Sequence, residues 1–307
     1  MNRLKFIIEE SFRSVLNEYA GMFAGCEQLA KNILYIVKNN DWPSIQNGYS
    51  RCYEVPCSWA PGGYIAVTVN KNYTKGVNAS YIPGFFERYG KFLIAVNPAI
   101  KNYKDEDLIP TISHELTHAY EDAMCLRNGE NRIHQRIKDT GYNKSLDYAT
   151  KVGYWDKEED ELGEYKDDVS KFMMTAMSFE RNARMAAMYS DIMNAKKEFK
   201  TPDDIALYFD DSRVGCDLKF LKGFTEDILA EKNAEEQQNW LKAFSQLSNI
   251  KFKDYKHLKR YVKHQFDKFE GKVNEILPKV IYEYFRRKNQ QTVSRSNRHI
   301  NMRTSRW

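Results

Sequence analysis

Cysteine is scarce in this chain of 307 residues: there are five, an odd number, and no two stand at CxxC spacing. That argues against a disulfide framework and against a four-cysteine zinc site, and it suits a reducing compartment. Long apolar runs are missing too. Nowhere do 18 apolar residues follow one another, which excludes a transmembrane helix and leaves no membrane partner to expect. Phe23-Ala24-Gly25-Cys26 faintly resembles a lipoprotein cleavage box, but Glu9, Glu10, Arg13 and Glu18 stand where an apolar h-region belongs. A signal peptide is therefore rejected and a cytoplasmic chain expected. Net charge is small, at +5, and unevenly spread: residues 286–307 hold seven Arg or Lys and no acid, leaving residues 1–285 at −2. The body lacks the basic surplus of a nucleic-acid binder. The acidic run Trp155-Asp156-Lys157-Glu158-Glu159-Asp160-Glu161 lacks calcium-loop spacing and reads as a solvated helix. No internal repeat is present.

Histidine is also rare, with six in the chain, yet two of them fall in His114-Glu115-Leu116-Thr117-His118. On a helix, positions i and i+4 share a face, so both imidazoles reach one ion while Glu115 stands beside a water bound to it. Zinc accepts neutral imidazole nitrogen, and a catalytic site uses three protein ligands with the fourth position left to water. Leu108, Ile112, Leu116, Ala119 and Ala123 recur at helical spacing and form an apolar stripe away from the histidines. This helix packs by one face and binds by another. The alternative is a pair of surface histidines on an ordinary helix.

Thr111-Ile112-Ser113-His114-Glu115-Leu116-Thr117-His118-Ala119 resembles the active-site helix of the zincin metallopeptidases. The resemblance implies Zn2+ as cofactor, His114 and His118 as ligands, Glu115 as general base, and peptide hydrolysis. A metzincin continues the motif with glycine and a third histidine, but Glu121 and Met124 occupy those places. The third ligand must come from elsewhere. Glu180 is expected, because Val169, Phe172, Met173, Ala176, Ala183 and Ala187 share one side of a helix and Glu180 sits in its middle. A lone carboxylate there needs a cation or strong hydrogen bonds. The arrangement resembles the gluzincins, in which a glutamate on a later helix completes a His-His-Glu site. The competing reading has Glu180 merely paired with Arg184 on a solvated edge. Asp122 follows His118 by four residues, but three ligands along one straight helix cannot surround a tetrahedral ion. It reads as a hydrogen-bond partner that orients an imidazole.

Along the chain, Leu4, Ile7, Ile8, Phe12, Val15 and Leu16 mark an amphipathic helix, and residues 27–40 read as a second one ended by Trp42-Pro43. Residues 63–69 and 91–96 are strand candidates of a small twisted sheet, with 91–96 placed to hold an extended peptide at the upper edge of the cleft. Asp105 or Asp107 can cap the motif helix, Pro110 falls in its first turn, and the helix ends near Asn128-Gly129. The segment from there to Val169 lines one side of the cleft, which makes Tyr142, Tyr154 and His134 candidate oxyanion donors. Beyond Asp191 apolar residues recur at helical spacing, so the second half is all-helical, with His257 and His264 on its surface.

These features predict an α+β, mainly helical chain. Residues 1–26 form an amphipathic helix, 27–200 a zincin-like catalytic domain with a small sheet and active-site helix, 201–285 a helical lobe and 286–307 a basic tail. The expected function is a zinc metallopeptidase acting on a peptide or protein substrate. The rival is a structural component of a larger, viral particle that keeps the scaffold and docks by its termini. The tail suits an acidic partner, either protein or nucleic acid.

Overall fold

The computed structural model describes residues 2–40, 52–70, 78–152 and 162–304, with side chains described for 21–40, 52–70, 78–99, 102–150 and 162–290. Mainly helical α+β architecture is what it shows. Four strands, β1 (Tyr53–Pro56), β2 (Tyr64–Val69), β3 (Ala79–Tyr81) and β4 (Leu93–Val96), form one sheet in the order β1-β2-β4-β3. β2 and β4 are parallel, with Val67 opposite Ile94. β1 and β3 flank them antiparallel, with Val55 opposite Ile65 and Ser80 opposite Ala95. β4, rich in apolar residues, is buried along its whole length, as an inner strand covered on both faces must be. The expectation that 91–96 forms the open edge is therefore corrected: β3 holds that place.

α1 (Asn2–Asn39) is one helix where the sequence suggested two. Nothing between the halves breaks it. Gly21 and Gly25 each cost about 1 kcal/mol relative to alanine, and burial of Phe23, Cys26, Leu29, Ala30 and Ile33 offsets that cost. The side chains of Leu4 to Leu16 lie outside the described residues. After the short α2 (Phe85–Tyr89), α3 (Asp105–Asn128) carries the histidines. Asp105, Glu106 and Asp107 fill its first turn, where the helix dipole favours acids. Neither aspartate caps it, because Lys104 is the N-cap, and Pro110 consequently lies beyond the first turn. The other end is as expected: Gly129 adopts φ +68° and donates its N–H to Cys125 O.

The remaining described chain is helical: α4 (Ile133–Thr140), α5 (Tyr142–Val152), α6 (Gly163–Ala176), α7 (Ser178–Met193), α8 (Pro202–Asp211), α9 (Arg213–Leu229), α10 (Ala234–Leu247) and α11 (Tyr255–Thr304). Two capping boxes, Thr201 with Asp204 and Asn233 with Glu236, start α8 and α10. The helix expected to run from Val169 through Ala187 is two, because Met177 adopts extended φ −61° and ψ 148° between α6 and α7. The chain buries two apolar cores. One joins α1, the sheet and the Leu108, Ile112, Leu116 stripe of α3. The other joins α6 to α11, with Phe23 of α1 and Ile133 of α4, around Phe172, Phe224 and Phe244.

The basic stretch expected to leave the fold at 286 begins inside α11 and is tied down there. Arg287 reaches Glu27 Oε2 at 3.3 Å and Tyr189 Oη at 2.5 Å, while Lys288 Nζ donates to Phe199 O at 3.0 Å. Glu27 is buried, and Lys31 and Arg287 both pair with it. Among the described residues no helix is long and apolar enough to cross a membrane.

Candidate metal centre

α3 and α7 meet where the two cores abut, and small residues let them approach closely. Ala183 and Ala186 on α7 are buried, and across the contact Ser190 Oγ donates to Ser113 Oγ at 2.9 Å. Glu180 lies in the first turn of α7, whose dipole favours an anion. The break at Met177 creates that helix start, so it places the carboxylate as well as shaping the backbone.

Three donors converge. His114 Nε2 and His118 Nε2 are 3.1 Å apart, His114 Nε2 is 3.2 Å from Glu180 Oε2, and His118 Nε2 is 3.7 Å from Glu180 Oε1. A tetrahedral ion bonded at about 2.0–2.1 Å separates neighbouring ligand atoms by roughly 3.3–3.4 Å. The donor set fits such an ion, and no other group of three His, Cys, Asp or Glu among the described residues does so. Two neutral nitrogens and one carboxylate are also ligand types that zinc accepts.

Electrostatics agree with that donor set. His118 is 7% exposed, and burial pushes its pKa down to about 4, so the ring is neutral near pH 7, the form that binds metal. Burial of Glu180, 6% exposed, pushes its carboxyl up, but the His114 hydrogen bond and the electrostatic interactions with His118, His114 and Arg184 outweigh that and hold it well below the usual range. Tyr142 Oη donates to Glu180 Oε1 at 2.9 Å and stacks edge-on against Phe179. Arg184 does not pair with Glu180: its guanidinium donates to Asp217 and to Met174 O. The solvated-edge alternative for Glu180 is thereby removed.

Glu115 projects beside the three donors and is held by the sheet. Its Oε2 accepts the Tyr81 backbone N–H at 2.7 Å, and burial raises its pKa. The same tyrosine grips α3 twice, since its hydroxyl donates to Asp122 Oδ2 at 2.6 Å. Glu115 and Asp122 are seven apart, two turns along one helix face. β3 is thus fastened to α3 at two points by one residue.

Several expectations are corrected here. Asp122 is fully buried, but it orients no imidazole: it accepts from Tyr81, from Arg132 and from the Ile133 N–H at 2.9 Å. Its position four residues after His118 is right for a helical neighbour, but Arg132 and the start of α4 claim it. His118 Nδ1 has no hydrogen-bond partner among the described residues. His134 faces Glu87 at 3.3 Å and is not among the three donors. Tyr154 lies outside the described residues. Tyr142 is at the site, holding a ligand. Two participants had no signal in the sequence: Tyr81, in a strand of three residues, and Arg213, which lines a cavity of about 290 Å3 together with Thr111, His114, Glu115 and Ala187.

No family model matches the chain, and no curated protein or solved structure does so.

Proposed function

We propose that this protein is a zinc-dependent metallopeptidase with a gluzincin-like site, in which His114, His118 and Glu180 hold the metal and Glu115 moves the proton. One observation carries the reading: the three donor atoms stand at the spacing of a tetrahedral site, with a carboxylate that is not one of them anchored alongside. Zinc, when bound, polarises a carbonyl and brings the pKa of a coordinated water to about 7.

The chain supplies the rest. Tyr81 N–H occupies Glu115 Oε2, which leaves Oε1 as the oxygen that takes the proton from the attacking water and returns it to the leaving amine. Burial raises Glu115, making its carboxylate a stronger base toward the attacking water. Tyr142 fixes Glu180 and so the orientation of the third ligand. β3 is an edge strand beside Glu115, and an extended peptide adds to such an edge through main-chain hydrogen bonds.

Incubation of the purified protein with a diverse peptide library, with and without a chelator, tests the proposal. Cleavage that the chelator abolishes and added zinc restores is the expected result. Cleavage that survives complete metal removal, or none at all with zinc loaded, overturns it.

A further inference from the structure

The turn between α8 and α9 delivers a cation, Arg213, to the cavity beside Glu115. Arg213 opens α9 directly after its N-cap Ser212, whose hydroxyl accepts from Gly215 N at 3.1 Å and donates to Phe209 O at 2.7 Å. The turn has no room for a side chain at Gly215, where a Cβ would lie 2.1 Å from Phe209 O. The side chain of Arg213 is exposed, and no hydrogen bond or ion pair holds its guanidinium among the described residues, while its charge acts on Glu115 and Asp217.

Arg213 lines two cavities, the one of about 290 Å3 that contains His114 and Glu115 and a second of about 480 Å3 walled by Tyr148, Lys171 and Thr175. Most of their other charged groups have hydrogen-bond or ion-pair partners in the fold. Arg184 borders both but is committed to Asp217 and Met174 O. Asp167 accepts the Tyr148 hydroxyl at 3.0 Å, Glu106 pairs with Lys196, and Asp191 accepts the Tyr208 hydroxyl at 2.9 Å. Lys171 Nζ sits 4.1 Å over the Phe220 ring. Asp107, in the first turn of α3, disfavours an anion at that end. The cavity beside Glu115 keeps an acidic surplus, whereas in the second Arg213, Arg184 and Lys171 outnumber Asp167 and Asp217, so the positive side of Arg213 is the one that faces the second cavity.

We propose that Arg213 binds a carboxylate of the substrate, so that the protein selects peptides carrying a negative charge near the scissile bond. A guanidinium takes a carboxylate through paired hydrogen bonds, and the same chemistry serves an acidic side chain or a free C-terminus. The proposal rests on the peptidase reading above, and the test separates the two.

The test uses acetylated peptides that differ only by Glu or Gln at one position, each with a free or an amidated C-terminus. Their cleavage is measured with the zinc-loaded protein and their binding with Glu115→Gln, which cannot turn them over. Charged peptides are favoured by about 10- to 100-fold, the range for a hydrogen-bonded charge. Arg213→Gln collapses that ratio to about one, Arg213→Glu inverts it toward Lys peptides, and raising salt narrows it. A preference confined to Glu peptides assigns a side-chain subsite, and one confined to free C-termini assigns a carboxypeptidase-like subsite. Cleavage with no charge preference, or a preference that survives Arg213→Gln, overturns the Arg213 proposal and leaves the peptidase reading standing. Charge-selective binding lost in Arg213→Gln, without any cleavage, supports Arg213 and overturns the peptidase reading.

Discussion

Replacing Glu180 with Gln removes the anionic donor of the proposed zinc site while keeping the side chain's shape and an acceptor for the Tyr142 hydroxyl. Groups that merely orient a zinc ligand are worth about 10- to 100-fold in affinity. A ligand itself should then be worth at least about 100-fold. At free zinc near 1,000 times the dissociation constant, binding stabilises the parent fold by about 4.1 kcal/mol, and a site 100-fold weaker yields about 1.4 kcal/mol. A chain of this size gains roughly 2 °C per kcal/mol, so the zinc-induced rise in Tm should drop from about 8 °C to about 3 °C. Scanning calorimetry in a zinc buffer, with each variant compared to its own metal-free form, isolates that increment from any change in the bare fold. A rise in Glu180→Gln within about 1 °C of the parent's refutes the reasoning and moves the third ligand elsewhere.

Glu115→Gln should bind zinc as the parent does and lose about 10²- to 10⁴-fold in turnover, the range for a general base; full activity by the peptide assay rules out the role. Tyr81→Phe deletes one donor to the buried Asp122 carboxylate, so chemical denaturation should show a loss of about 1.5–3 kcal/mol. Zinc affinity should not change, because Asp122 touches neither imidazole, and a 10-fold weakening would return Asp122 to an imidazole-orienting role. Burial pushes Glu121 from 4.5 up to about 7. The unfolded chain therefore releases this proton near 4.5 while the fold keeps it, and stability falls as pH rises through the window from 4.5 to about 7. Glu121→Gln should recover up to about 3 kcal/mol above that window, and an unchanged stability-pH curve contradicts the assignment.

The parts of this molecule legible in its sequence are those set by local periodicity. The α3 stripe, the i, i+4 histidines and the Gly129 stop each depend on residues within a turn or two, and all stand where the pattern puts them. Glu180 was legible for another reason: a carboxylate amid apolar residues is costly wherever the helix lies. What escaped depends on pairing between distant segments. Whether residues 91–96 form an edge or an inner strand is decided by β3, three residues long and without a pattern of its own. The break at Met177 has no side-chain cap to announce it. Asp122 satisfies the spacing rule for a neighbour of His118, but Arg132 and Tyr81 reach it from other elements. Arg287 and Lys288 read as tail by composition, yet Glu27 and Phe199, far away in sequence, hold them in the fold.

The central claim is that His114, His118 and Glu180 form one zinc site. Elemental analysis of metal-stripped protein reloaded with zinc addresses it directly, in the parent and in the His114→Ala, His118→Ala double variant. The account predicts about one zinc per parent chain and essentially none per double-variant chain; equal zinc content in the two proteins would contradict it.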